Sequence, residues 1–274
     1  MKGEIITYPL IVANWKMHLT LSEALVLAGQ EAKTAEQVKH IEMVICPSAG
    51  FIYPIFEFTK ARPENLTFGL QNAMWEEEGQ FTGENSLLHF KGICKYVIIG
   101  HSERRKYFAE DDEIVNKKTE FVLRHNFTPI VCVGEEERFH LEDHYQSEIR
   151  RMKEREGILT QIEKAFDGIP KNLLENAVVA YEPLWAIGTG NVSSGAYAAA
   201  IAYIIKSHLK EKFGEAVAQN VKILYGGSTA SDNVKEFMMQ PDIDGLLVGG
   251  SSLKAQEFNK ICSISAEVKS GRVI

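Results

Sequence analysis

Four residues stand where they could do chemistry. Asn14 and Lys16 close the apolar run LIVANWK, His101 follows KYVIIG, and Glu182 follows AVVAY. A carboxylate at the tip of a buried strand, shielded by an apolar loop such as Pro183-Leu184-Trp185, can serve as a general base. A histidine between a strand and a helix feels the positive helix N-terminus, which disfavours the imidazolium and leaves a neutral hydrogen-bond donor. Lys16 offers a cation and Asn14 an amide. Gly226-Gly227-Ser228 and Gly249-Gly250-Ser251 leave two further runs at matching places, and small residues let backbone N–H groups approach an anion closely. No nucleophilic Ser or Cys is paired with a base, and no His or carboxylate cluster has metal spacing. One base, one neutral acid, one cation, one amide and an anion cradle fit proton transfer beside a carbonyl on a small phosphorylated substrate. Each part also has a plain structural reading, as a strand-end amide, a satisfied histidine, a surface ion pair or a tight turn.

The elements that must position these residues are legible. Runs rich in Val, Ile and Leu recur at 10–16, 42–47, 66–72, 95–101, 128–135, 177–183, 221–227 and 244–250. They are too short for helices and mostly continuously apolar, as strands buried on both faces are. Residues 21–38, 113–124 and 195–212 space apolar side chains at three and four, and Ser22 is a plausible start signal for the first. Repeated strand–helix alternation predicts an α/β fold, a single (β/α)8-barrel domain over residues 1–274. The rival is an open doubly wound sheet, but no GxGxxG follows the first strand and polar residues gather after many strands. Side chains two apart in a strand share a face. Asn14 and Lys16 are therefore expected at the barrel mouth, with Trp15 packed outward beneath the helices. The charged segment 135–156 reads as a solvated helix face.

Composition narrows the class. The chain has 274 residues, 45% hydrophobic and 24% charged, with a formal net charge of -7, which disfavours a nucleic-acid binder. No apolar run approaches the roughly 20 residues of a membrane span, and the N-terminus lacks a signal-peptide layout. Cys46, Cys94, Cys132 and Cys262 are far apart and form no CxxC pair, so they read as buried thiols in a cytoplasmic protein.

NWKM, GHSERR, YEPLWAIGTG, LYGGS and DGLLVGGSSL, with QNAMWEEEGQFTGEN and VCVGE, resemble the triosephosphate isomerase family in order from about Ile11 to Leu253. That resemblance implies an aldose–ketose isomerase acting on glyceraldehyde 3-phosphate and dihydroxyacetone phosphate through an enediolate, with no cofactor and no metal. It implies Glu182 as the base, His101 as the neutral acid, Lys16 as the cation facing the enediolate and Asn14 as a donor to substrate. Glu103 would support Lys16 or His101. Backbone groups of Gly188, Ser228, Gly249 and Gly250 would hold the phosphate, and Pro183-Leu184-Trp185 would be the hinge of a lid with its tip at Ala186-Ile187-Gly188. A homodimer is implied, with Thr82 in the loop 79–85 near Asn14 and Lys16 of the second subunit.

The chain departs from the family pattern at Asn191-Val192-Ser193, where Lys-Thr-Ala is common, at Leu184 for Val and at His18 for Asn. The segment from Glu136 to about Glu156 is longer, and the tail after Cys262 is extended. These departures touch the lid and the rim. Two alternatives therefore stay open: an isomerase of a four-carbon ketose phosphate such as L-erythrulose 1-phosphate, and a non-catalytic barrel that binds phosphorylated ligands.

Overall fold

The structure, a computed structural model, describes residues 8–153, 157–186 and 193–270, with the backbone alone for 142–145. Eight parallel strands close in sequence order: β1 Leu10–Asn14, β2 Glu42–Cys46, β3 Leu66–Leu70, β4 Cys94–Ile99, β5 Thr128–Val133, β6 Val178–Tyr181, β7 Lys222–Tyr225 and β8 Gly245–Val248. β8 pairs with β1, so the sheet has no edge. Around it lie α1 Leu21–Gln37, α2 Ala49–Phe58, α3 Ser102–Phe108, α4 Asp112–Arg124, α5 Leu141–Met152, α6 Ile158–Ala165, α7 Lys171–Leu174, α8 Gly195–Phe213, α9 Glu215–Asn220, α10 Val234–Met238 and α11 Ala255–Lys269. The fold is the expected (β/α)8 barrel.

Strand periodicity sorts the side chains into two layers. Leu10 and Val12, Tyr96 and Ile98, Ile130 and Cys132, and Val178 and Ala180 fill the barrel interior. Their neighbours Ile11 and Ala13, Val97 and Ile99, Val131 and Val133, and Val179 and Tyr181 pack outward beneath the helices. Trp15 belongs to that outer layer and is 1% exposed, where the alternation places it. The interior positions continue to the strand exits, so Asn14 follows Leu10 and Val12, and Glu182 follows Val178 and Ala180.

Each ladder stops one or two residues before its apolar run does, because the exit residues leave the sheet for the loops. The clearest case is β1. Alternation is expected to carry Lys16 to the mouth, but the strand ends at Asn14 and Lys16 has φ 52°. A left-handed residue, not strand geometry, turns Lys16. The helix starts differ as well. Thr20, rather than Ser22, caps α1, and a capping box with Glu23 completes the turn; its side chain satisfies an amide that the helix leaves orphaned. In the charged segment the helix begins only at Leu141, and Glu135 and Phe139 before it are buried. The expectation of a solvated helix over all of 135–156 is corrected for that first part; 154–156 lie outside the described residues.

Exposed Ala109 ends α3 in the left-handed region, φ 53°, ψ 34°. A Cβ in that conformation costs roughly 1–2 kcal/mol, partly offset by the extra chain entropy of glycine in the unfolded state. Ala109→Gly is expected to stabilise the fold by about 0.5–1 kcal/mol. Chemical denaturation of the two proteins side by side checks this, and a lower midpoint for the glycine variant would contradict it.

Candidate active site

The exits of β1, β4 and β6 bring four of the expected side chains to one end of the barrel. Asn14 is 5% exposed, His101 7% and Glu182 2%. Lys16 is the most open of the four. Its Nζ lies 2.7 Å from Glu103 Oε1, and its backbone N–H donates to Asn14 Oδ1 at 3.1 Å. Gln71, just past β3, donates from Nε2 to the carbonyls of Lys16 at 2.8 Å and Cys46 at 2.9 Å. The left-handed Lys16 is thus held from both sides, as a strained residue must be to persist.

His101 caps the N-terminus of α3. Its Nδ1 accepts the Glu103 backbone N–H at 3.2 Å, so by the hydrogen-bond network the ring proton sits on Nε2. Nε2 lies 3.1 Å from Glu182 Oε1, and the Ser102 N–H donates to Glu182 Oε2 at 3.0 Å. Gly100, immediately before His101, has φ +65°, and an added Cβ would meet Val115 Cγ2 at 2.8 Å. Glycine therefore delivers His101 from strand to helix. At β5 a Cβ on Gly134 would fall 1.9 Å from the Glu182 carbonyl oxygen, so the chains pass closely where the carboxylate emerges.

The charges are coupled. Burial works against the Glu182 carboxylate, but His101, the Ser102 amide and Lys16 outweigh it and hold its pKa below the usual value. Burial likewise works against a charged His101, yet the Glu182 charge and the hydrogen bond to it raise the histidine's pKa. The expectation of a depressed His101 is therefore corrected for this arrangement, because a carboxylate lies against the ring. Without the Glu182 charge, burial, Lys16 and the helix N-terminus would favour the neutral ring, with the Glu103 carboxylate opposing them.

Glu103 serves both neighbours, through its carboxylate to Lys16 and its amide to His101. The two glycine turns are joined where Ser251 Oγ donates to the Thr229 carbonyl at 2.6 Å. Gly249 and Gly250 lead into the turn Gly250–Leu253, and a Cβ on Gly249 would sit 3.5 Å from Lys16 Cε. Ser228 is exposed beside them. Gly188 lies outside the described residues, as do Ile187, Asn191 and Val192. Among the described residues no group of three or more His, Cys, Asp or Glu could hold a metal ion, and no helix is long and apolar enough to cross a membrane.

The family model described as triosephosphate isomerase matches residues 9–265. The chain belongs to the triosephosphate isomerase family. It is 41% identical over 260 residues to a protein of Dehalococcoides mccartyi named triosephosphate isomerase, covering 95% of this chain and 97% of that one. Proteins of the same name from Dictyoglomus turgidum and Alkaliphilus oremlandii are 41% and 42% identical, each over 91% of this chain and 96% of their own length.

Residues that sequence reasoning misses complete this family member's site. Ser102 contributes only an amide, which no side-chain pattern reveals. Cys132 reads in the sequence as a plain buried thiol, but it faces Glu182 from β5, and burial followed by the Glu182 charge pushes its pKa well up. Glu135, expected on a solvated face, is instead the centre of a buried cluster. Its Oε1 accepts Tyr181 Oη at 2.7 Å, Trp185 Nε1 at 2.8 Å and Tyr197 Oη at 3.1 Å. Its carbonyl also accepts the Leu184 N–H at 3.0 Å. The signal is the GEEERF stretch directly after a strand, a position next to the site rather than out in solvent.

Burial raises the Glu135 pKa from 4.5 to about 7 against the pull of its donors. The folded state therefore holds this proton where the unfolded chain has lost it. The contribution is fully present below pH 4.5 and is lost as pH rises through about 7, a difference on the order of 3 kcal/mol. Tm measured from pH 4.5 to 8 is expected to fall less steeply for Glu135→Gln than for the native chain. Parallel curves would contradict the buried, protonated state.

Proposed function

We propose that this chain interconverts glyceraldehyde 3-phosphate and dihydroxyacetone phosphate through an enediolate. The observation that carries the reading is the buried Glu182 carboxylate 3.1 Å from His101 Nε2, in a ring whose Nδ1 is already occupied by a backbone amide. A base and a one-proton donor thus share one mouth with the Lys16 ammonium. Glu182 leaves its rest position, takes a proton from one substrate carbon and returns it to the neighbouring carbon. His101 donates from Nε2 to the carbonyl oxygen and moves the oxygen-bound proton. Lys16 and Asn14 stabilise the developing oxyanion, and preorganised donors of this kind usually contribute more to the rate than any other single effect. The backbone amides of Ser228, Gly249 and Gly250, with Gly188 from the lid, hold the phosphate. Pro183-Leu184-Trp185 hinges that lid, and its closure excludes water from the enediolate.

The substrate is a small phosphorylated sugar, and the relatives' shared name favours the triose over the tetrulose. The test is kcat/KM on glyceraldehyde 3-phosphate and on erythrulose phosphates, with one preparation in one buffer. Preference for the triose by several orders of magnitude is expected. A tetrulose preference would overturn the substrate while leaving the acid–base chemistry. A barrel that turns over neither, and binds phosphoglycolate no more tightly than the sugar phosphates, would be a binder rather than a catalyst.

A cytoplasmic homodimer is part of the same proposal. Met17 is 93% exposed, Tyr107 67%, Phe108 64% and Phe81 40%. All four follow the exits of β1, β3 and β4, which lie on one side of the barrel, and a contiguous exposed apolar patch there would mark an interface. Thr82, next to Phe81, would then reach Asn14 and Lys16 of the second copy. Light scattering at micromolar concentration is expected to give twice the chain mass of 30.7 kDa. A monomer with full activity would refute the pairing.

A further inference from the structure

Helix α1 presents a stripe of buried positions to the barrel: Ala24, Leu27, Ala28, Glu31, Thr34 and Ala35. Glu31 breaks the apolar character of that stripe. It is 0% exposed, its Oε2 has no hydrogen-bond partner, and burial pushes its carboxyl well above the usual range. An acid in this place costs stability against an apolar residue. Its hydrogen-bond partner is the indole of Trp15, whose Nε1 donates to Glu31 Oε1 at 3.3 Å.

Trp15 is the residue between Asn14 and Lys16. Its backbone N–H donates to the Cys46 carbonyl at 3.1 Å, and its ring is tied to Glu31. The residue is therefore fixed at main chain and at side chain, at the point where the backbone leaves β1 for the left-handed Lys16, φ 52°. Such a conformation persists where its surroundings over-determine it, and a buried indole N–H left without an acceptor carries a desolvation cost that favours a shift of the ring.

We propose that Glu31 is a positioning residue for the isomerase reaction, acting through the Trp15 indole to hold Lys16 in its left-handed conformation at the barrel mouth. The inference rests on the reading of Lys16 as the cation of the site. It differs from a purely structural role in its consequence. A leucine at position 31 restores the apolar stripe, which offsets the cost of leaving the buried Trp15 N–H without an acceptor, yet the lysine loses its alignment.

The experiment compares Glu31→Leu, Glu31→Gln and the native chain by Tm, kcat, KM and the Kd for phosphoglycolate, with Lys16→Met as a second background. Glu31→Leu, which trades a buried unpaired carboxyl oxygen for an unpaired indole N–H, is expected to stay folded with a small change in Tm, while kcat and phosphoglycolate affinity fall roughly tenfold, the scale of a modest misplacement. Glu31→Gln, whose amide oxygen still accepts the indole, is expected within about twofold of the native enzyme in kcat, below the tenfold scale of a lost alignment. In the Lys16→Met background Glu31→Leu is expected to add no loss. Native kcat and affinity in Glu31→Leu, an equal loss in Glu31→Gln, or the same loss in both backgrounds would overturn the role of Glu31 and leave Lys16 standing. Native turnover in Lys16→Met would overturn the reading of Lys16, and with it the reason for Glu31. Should Glu31→Leu fail to fold, Trp15→Phe removes the donor together with part of the ring, and an unchanged kcat there overturns the proposal.

Discussion

Glu182→Asp is expected to fold like the native chain and to lose about 10²- to 10⁴-fold in kcat. The barrel interior sets where this side chain begins: Val178 and Ala180 point inward beneath it, and Gly134 lets the Glu182 main chain pass within contact distance. Shortening the side chain by one methylene keeps the charge and the burial but withdraws the oxygens from the reacting carbon. General-base catalysis depends on that distance before it depends on basicity. The rest-state contacts, the Ser102 N–H at 3.0 Å and His101 Nε2 at 3.1 Å, are also out of an aspartate's reach, so a small fall in Tm should accompany the loss. Steady-state kinetics with circular dichroism decides the matter. Near-native turnover in a folded Glu182→Asp would remove Glu182 as the base.

The rest state explains how one carboxylate can be both ionised and useful. Beside His101, the Ser102 amide and Lys16, Glu182 is held below its ordinary pKa and is a weak base. On the proposed reading, moving away would shed two of its hydrogen bonds and take the Glu182 charge from His101, leaving Glu103 to raise the ring against burial and Lys16. One displacement would therefore strengthen the proposed base and shift the proposed acid toward its neutral form. The proposed hinge residues are held by Glu135, which receives both the Trp185 indole and the Leu184 amide.

The sequence shows those features that depend on side-chain type at a period. Strand alternation carries Trp15 outward and Glu182 inward because each position is set by its own strand. Contributions made by main-chain groups are invisible in it: the Ser102 amide, and the Glu103 amide on His101 Nδ1. So is anything set by an unusual torsion. The rule that places Lys16 beside Asn14 assumes a strand that has already ended, and the lysine reaches the mouth by a left-handed turn instead. Charge pattern misleads at Glu135, because a carboxylate within a run of charges reads as solvated until three donors, two of them buried, converge on it. Glu31 is hidden for the opposite reason, as one acid inside an acceptable amphipathic pattern. The closed ring of strands is easier to read, since eight short apolar runs between helices leave few ways to bury both faces.

Lys16 separates charge from conformation, and two substitutions test them apart. Lys16→Met keeps the stem and the left-handed backbone but removes the ammonium, and is expected to lower kcat/KM about 10²- to 10³-fold, the usual cost of deleting a preorganised electrostatic contact. Glu103, 44% exposed at its side chain, then turns to solvent, so the broken ion pair costs the fold little. Lys16→Gly removes the same charge and also the Cβ that makes φ 52° unfavourable. It is expected to be as inactive as the methionine variant and more stable than it by about 0.5–1 kcal/mol, the left-handed penalty less the glycine entropy. Unfolding midpoints and kcat/KM for the pair supply both comparisons. If the glycine variant were the less stable, the backbone at Lys16 would not be strained, and the contacts from Gln71 and Asn14 would merely follow the chain. If the methionine variant kept its rate, the enediolate would be stabilised without the lysine, and His101 with Asn14 would have to supply the whole of that stabilisation.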